Sequence, residues 1–449
     1  MLTFTGRPVK YCDGLRRREF LKVGTFAFGA ASLTLADTFR LQAANPAQNS
    51  SSHKSIINIF LGGGPPHQDT FDLKMDAPSE IRGEMKPIDT TVPGMQICEV
   101  FPQLAKMAKK FSLVRSIVGA QGGHDAYQCT TGFPENSLAV LGGRPSIGSV
   151  LAKLVGPVDP SVPPFIGLSE KTAHTPWSDP GRVGFLGPTA SAFKPSGPDL
   201  ANMKLNAVNR TQLTDRKNLL ESFDNIKRTL DSSGGIAGYD AAMDRALNVL
   251  TSSKLVDALD ISKEDPKVRE RYGDGKPYQF QYDGAPTAND HLLMARRLVQ
   301  AGARCVTLSF GRWDSHGKNF DLVRDHGKKL DQALSALFWD LDRTGLFDDT
   351  CVVVWGEFGR TPRINKEAGR DHWPQVSCAL IAGSGINGGQ VVGATNRLGE
   401  FAKERPVTFG DMFATIYKSM GMNPETTTVN DQTGRPQHIV EGQAIKELI

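Results

Sequence analysis

The stretch Arg304-Cys305-Val306-Thr307-Leu308-Ser309-Phe310-Gly311-Arg312-Trp313-Asp314-Ser315-His316-Gly317 decides the fold. Arg304–Phe310 is apolar and rich in β-branched residues, the composition of a buried strand. It runs into a polar loop carrying an indole, a carboxylate and an imidazole. In an open α/β sheet, ligands bind in the crevice at the carboxyl ends of the strands. Two residues apart just past a strand, Asp314 and His316 can converge on one metal ion or one substrate atom. A lone Asp-x-His more often fixes a turn and caps a helix. The reading therefore depends on whether other strands end the same way.

They do. Ser55–Leu61 reads as a core strand and ends in Gly62-Gly63-Gly64, followed by His67, Asp69 and Asp72. Glycines there allow the backbone to approach a ligand closely. Phe101–Phe111 has helical spacing, Ser112–Ile117 can form the next strand, and Gly122-Gly123-His124-Asp125 follows it. Cys351–Trp355 runs into Gly356-Glu357-Phe358-Gly359-Arg360, and Gly369-Arg370-Asp371-His372 precedes a further strand, Val376–Ala382. Between them lie helices. Asp290–Ala301 is closed by Gly302 in a C-cap position, while Leu330, Ala333, Leu334, Leu337, Phe338 and Leu341 form an amphipathic stripe. The alternation predicts an α/β fold: a three-layer, doubly wound, mostly parallel sheet with helices on both faces. Residues 133–200, rich in Gly, Pro and Ser and holding His174 and Trp177, read as long loops over the sheet edge or the site. Residues 211–288 read as a mainly helical insertion.

The totals narrow the class. With 449 residues, 39% hydrophobic and 22% charged, the chain has ample material for a core. A net charge of +4 is too weak to argue for nucleic acid. Residues 1–44 read as a signal region: Arg16-Arg17-Arg18-Glu19-Phe20-Leu21-Lys22, a mildly apolar stretch, then Leu41-Gln42-Ala43-Ala44 as a small-residue cleavage site. The paired arginines followed by Phe-Leu-Lys resemble a twin-arginine export signal, read by its own machinery. Residues 45–55 are a linker and 56–449 the folded domain. This predicts a periplasmic or extracellular protein that meets a membrane only through its signal region, and an uncleaved signal would leave it anchored. The six cysteines include no Cys-x-x-Cys pair, and Cys305, Cys351 and Cys378 sit in apolar runs as small buried hydrophobes. No disulfide is expected.

The strand-exit residues His67, Asp69, His124, Asp314, His316, Glu357, Asp371 and His372 form a carboxylate–imidazole set. Such a set suits Zn, Mn or Fe, or Mg and Ca with more oxygen ligands. Arg312, Arg360, Arg363 and Arg370 lie in the same loops, and guanidinium groups recognise oxyanions bidentately.

Several segments carry a family resemblance. Phe101–Gly132 resembles the alkaline phosphatase and sulfatase superfamily, in which a helix leads to the nucleophile loop and a Leu-Thr-Gly. Gly345-Leu346-Phe347-Asp348-Asp349-Thr350-Cys351-Val352-Val353-Val354-Trp355-Gly356-Glu357 is similar to that superfamily's GLxDNTLVVFTSDHG segment. Trp313–Phe320 resembles the metal segment of the cofactor-independent phosphoglycerate mutases. GEFGRTPRIN, GRDHWP and the twin-arginine start resemble the exported domain-of-unknown-function family 1501, over residues 16–449. The resemblance implies an alkaline phosphatase-like fold and a divalent metal (Zn, Mn, Mg or Ca). Asp314, His316 and His372 would hold one ion, and Glu357 with Asp69 or His67 a second. It further implies His124 at the nucleophile position, as general acid/base or ligand, and Arg360 on the anion. The sequence also departs from the superfamily. Gly62-Gly63-Gly64 stands where an Asp is usual, and Gly122–Ala126 lacks the Cys or Ser of a sulfatase nucleophile. Two functions follow: a metal-dependent hydrolase of phosphate- or sulfate-like esters, or a catalytically degenerate protein binding an anionic ligand or glycan.

Overall fold

The computed structural model describes residues 53–169, 171–195, 253–278 and 284–449, together with the backbone of a short antiparallel ladder, Thr25–Phe28 against Ala31–Thr34. Arg17-Arg18, the Leu41–Ala44 cleavage stretch and most of the 211–288 insertion lie outside the described residues. Residues 1–52 and 53–449 are separate units, and all that follows concerns the second.

Its centre is an eight-stranded sheet. In chain order the strands are β1 (Ser55–Gly62), β2 (Phe111–Val118), β3 (Phe165–Gly167), β4 (Cys305–Arg312), β5 (Thr350–Trp355), β6 (Ser377–Ala382), β7 (Val391–Val392) and β8 (Val407–Thr408). They lie in the order β7-β2-β6-β5-β1-β4-β3, with β8 also paired to β2. β6 runs antiparallel to both its neighbours, and every other pair is parallel. The sheet is mostly parallel and helix-covered, as the alternation predicts.

Period-two alternation divides the strands between two cores. Ile57, Ile59 and Leu61 of β1 pack on one face with Leu292 and Leu298 of α2 (Asn289–Ala301) and Leu330, Leu334 and Leu337 of α3 (Asn319–Arg343). Ile56 and Phe60 pack on the other with Val150 and Leu151 of α1 (Ile147–Leu154) and Phe413 and Ile416 of α4 (Phe409–Ser419). Each fully buried aliphatic or aromatic side chain contributes about 1.5–3 kcal/mol of transfer free energy. The two buried faces make three layers. The whole apolar stripe from Leu330 to Leu341 is buried, and Gly302 closes α2 in the left-handed conformation at φ +119°.

Two segments differ from the sequence reading. The helix expected over Phe101–Phe111 is shorter, Pro102–Lys106 followed by a 3₁₀ turn. The Asp331 carboxylate of α3 accepts the Gln103 and Leu104 amides and so caps it across the fold. The 133–200 region is not only loop: α1, capped by Ser146, lies in it, and β3 adds to the sheet edge beside β4. The described end of the insertion forms helices Lys254–Leu259 and Pro266–Tyr272, which bury Leu255, Val268 and Tyr272 in the α2–α3 layer. Cys98, Cys129, Cys305, Cys351 and Cys378 are all free and buried. Among the described residues, no helix is long and apolar enough to cross a membrane.

His326 on α3 is buried, set edge-on against the rings of Tyr278 and Trp313, and accepts the Arg312 amide at 3.2 Å through Nε2. Burial, with the nearby Arg312 charge adding to it, lowers its pKa to about 3. The unfolded chain therefore binds a proton that the folded chain refuses. The stability held by neutral His326 is complete above pH 6.5 and is lost as pH falls from 6.5 toward 3. At pH 4.5 the loss is about 2–3 kcal/mol. His326→Gln removes this proton linkage, so denaturant titrations at pH 7 and 4.5 should show an acid loss smaller than the wild type's by that amount. An identical acid loss contradicts the assignment.

Candidate metal centre

Strand direction gathers the site. β1, β2, β4 and β5 all point the same way, so the loops after them share one edge of the sheet. β6 runs the opposite way, so the segment leading into it, with Asp371 and His372, starts at that same edge. Ligand atoms of His124, Asp314, His316 and His372 consequently all lie within 4.8 Å of one another. Asp314 Oδ1 is 3.0 Å from His316 Nε2, 3.5 Å from His372 Nε2 and 3.6 Å from His124 Nε2. Ligands 2.0–2.1 Å from a tetrahedral zinc stand about 3.3 Å apart, so this spacing fits one ion. His316 and His372 are partly open to solvent, at 49% and 30% side-chain exposure, which leaves the cluster accessible from their side.

The second nitrogen of two of these imidazoles is also committed. His316 Nδ1 lies 2.7 Å from Asp371 Oδ1, and His124 Nδ1 lies 2.9 Å from Glu357 Oε1. A carboxylate only accepts, so Nδ1 donates in each ring and Nε2 is the nitrogen that faces the cluster. Carboxylate-backed imidazoles are the usual second layer of a metal site. Glu357 is itself fixed: Oε1 also accepts the Gly63 amide at 2.8 Å and the Trp177 indole at 3.1 Å. Its Oε2 is buried without a hydrogen-bond partner, an orphaned acceptor that a nearby cation would relieve.

The charges are consistent with that. Burial works against ionised Asp314, but His124 and Arg360 outweigh it and hold the carboxyl well below its usual range. Burial likewise opposes a charged His124, yet Asp314 and Glu357 raise its pKa to about 9. His372 is lowered, by burial and then by Arg360 and His124, and stays neutral as a lone-pair donor. Asp371 is lowered chiefly by its hydrogen bond from His316.

Of the residues expected at the site, the structure brings His124, Asp314, His316 and His372 together, with Glu357 behind His124. It does not bring Asp69 and His67 to this cluster. Asp69 is fully buried in an ion pair with Arg370, at 2.6 and 2.9 Å, and accepts Asn319 Nδ2 at 2.7 Å. His67 is fully buried, with Nε2 2.9 Å from the Gly399 carbonyl and a pKa lowered by burial to about 4. Arg360 also needs correcting as an anion receptor. It is completely buried and gives its donors to the Gly63, Gly64 and Arg370 carbonyls and to Asp314. It clamps Asp314 in place. The glycines after β1 meet protein rather than ligand: at Gly63, φ +101°, a Cβ would sit 2.4 Å from the Asp314 amide.

Two further contributors come from the 133–200 region. The 3₁₀ turn Thr175–Ser178 lies over His124, with His174 Nε2 2.9 Å from the His124 carbonyl and the Trp177 ring 4.8 Å from its imidazole. The Phe358 ring closes the back, 5.2 Å from His124 and 4.6 Å from His372. Asp371 belongs to the strand-exit set read from the sequence, but its pairing with His316 depends on the fold.

No curated protein matches this sequence. Among solved structures, the chain is similar to the PsFucS1 sulfatase from Pseudoalteromonas sp., at 12% identity and TM-score 0.36, covering 87% of this chain and 71% of that one. It is similar to a phosphonate monoester hydrolase of Agrobacterium radiobacter at 12% identity and TM-score 0.32, covering 87% and 76%. A phosphonate monoester hydrolase from Silicibacter pomeroyi shares 16% identity over 34% of this chain, with TM-score 0.18, and the chain spans only 22% of that protein's length. The profile of the family described as "Protein of unknown function (DUF1501)" matches residues 53–449, nearly all of the sequence, and the chain belongs to that family.

Proposed function

We propose that the chain is an exported, metal-dependent hydrolase of phosphate- or sulfate-like esters. The observation that carries the reading is the convergence of His124, Asp314, His316 and His372 at a sheet edge. Three imidazoles and one carboxylate favour Zn, then Mn, over Mg or Ca, which prefer all-oxygen sites. A metal bound there polarises an ester oxygen and makes water more acidic.

The chain's own groups account for the rest. Arg360 and Arg312 hold Asp314, Arg312 through its carboxylate at 3.1 Å and also its carbonyl. Asp371 and Glu357 orient two imidazoles, while Phe358 and Trp177 keep water from the buried side. The exposed flank at His316 and His372 receives the substrate. The positions that the sequence offered for a side-chain nucleophile do not supply one. Gly122–Ala126 offers neither Cys nor Ser, and the Thr130 and Thr131 hydroxyls donate to the Tyr127 carbonyl at 3.1 and 2.8 Å. Water is the attacking group in this reading.

The lack of a nucleophile at those positions, with Arg360 fully engaged, favours a second reading: a protein that binds an anionic ligand or glycan without turning it over. A screen of zinc-loaded protein against aryl phosphates, phosphodiesters and aryl sulfates separates the two. Hydrolysis of at least one class is expected, with His316→Ala lowering kcat/KM about 100-fold or more and Thr130→Ala and Thr131→Ala retaining most of it. A silent screen favours the binding protein, and activity lost with either threonine restores a hydroxyl nucleophile.

In this proposal residues 1–44 direct export, 45–55 link, and 56–449 act as one domain. Arg17→Lys with Arg18→Lys keeps the charge but removes the receptor-read pair. Cell fractionation should find the double variant retained inside the cell, and unchanged export sinks the twin-arginine reading.

A further inference from the structure

Segments that lead to the metal centre also line a groove of about 360 Å³ whose walls are largely apolar, among them Val118, Ala120, Pro374, Phe401 and Pro406. Its volume is that of a small-molecule site, commonly about 300–1,000 Å³. Two of its walls are chain segments that also carry ligands of the centre. Val118–Ala120 leaves β2 on the way to His124, and Pro374 is two residues past His372. The segments meet: a Cβ on Gly122 would lie 3.9 Å from Pro374 Cγ. The third wall is brought in by β8, whose Val407 and Thr408 pair with Ile117 and Val118 and so set Pro406 alongside.

Phe401 completes the groove and is 50% exposed. It is not loosely held. Its ring lies 5.8 Å from that of Trp373, whose indole donates to the Glu400 carbonyl at 2.6 Å. A fixed aromatic face left in water, in a groove lined by the segments that carry His124 and His372, is suited to stacking on a ring of the substrate.

We infer that this groove receives an apolar, ring-bearing leaving group of the ester cleaved at the metal centre. The inference rests on the hydrolase reading and deepens it. Hydrolysis consumes one water, whose oxygen bonds to phosphorus or sulfur. The bond to the leaving oxygen breaks and a proton ends on that oxygen, so the released product is a phenol or a ring-bearing alcohol.

The test compares a 2-naphthyl ester with the methyl ester of the same acid, using zinc-loaded protein, and separately measures binding of 2-naphthol. Phe401→Ala should lower the naphthyl-to-methyl ratio of kcat/KM about ten-fold, through KM, the range an apolar pocket discriminates. Phe401→Tyr keeps the ring and should restore the ratio. Val140→Ala, at a fully exposed valine outside the groove, should change nothing. 2-Naphthol should bind the wild type and weaken with Phe401→Ala. If esters are turned over but the ratio and naphthol binding ignore Phe401, the groove assignment is overturned and the hydrolase reading stands. If naphthol binds through Phe401 but no ester is cleaved, the groove is a ligand site and the hydrolase reading falls.

Discussion

A carboxylate largely withdrawn from water sets the terms for this molecule. Asp314 is held by the guanidinium groups of Arg360 and Arg312 and faces three imidazoles, His316 of its own loop and His124 and His372 from two others. Removing a charge from water is costly unless it is paired and hydrogen-bonded. Arg360 does the pairing, and because it is itself completely buried it must satisfy its remaining donors on backbone. The carbonyls it uses belong to Gly63, Gly64 and Arg370. One guanidinium therefore ties the exit of β1 and the approach to β6 to the carboxylate after β4. The second buried pair, Arg370 with Asp69, locks the same loops from behind.

The sheet makes such a junction reachable. Residues 124, 314 and 372 meet because β1, β2, β4 and β5 end on one edge and the reversed β6 begins there. Glycine permits the last ångströms, since at Gly63 any side chain would collide with the Asp314 backbone. The result is a cluster whose two buried carboxylates, Asp314 and Glu357, demand positive charge. A proton on His124 meets that demand in part; a divalent cation meets it with the geometry that the ring nitrogens already present.

Much of this was legible in the sequence, for definite reasons. A strand buried on both faces reads as an unbroken apolar run, so β1, β4, β5 and β6 stood out. A helix packed on a sheet repeats at 3.6 residues, so the stripe from Leu330 to Leu341 marked α3. Asp314, His316 and His372 were accessible because strand exits point at one edge. What sequence could not reveal was partnership across the fold. Asp69 and Asp314 are both carboxylates past a strand, and nothing local shows that one faces Arg370 and the other a cluster of imidazoles. Arg360 looked like an anion receptor because burial is invisible in a loop of polar residues. The helix α1 was hidden by the surrounding Gly and Pro, although Ser146 before Ile147, Val150 and Leu151 was a cap signal. β3 was too short to show a period.

Anomalous diffraction across the zinc absorption edge, on crystals of the mature protein produced with zinc, addresses the central claim most directly. The account predicts one peak about 2.0–2.2 Å from Asp314 and the Nε2 atoms of His124, His316 and His372. No peak there, or a peak held instead by Asp69 and His67, contradicts it.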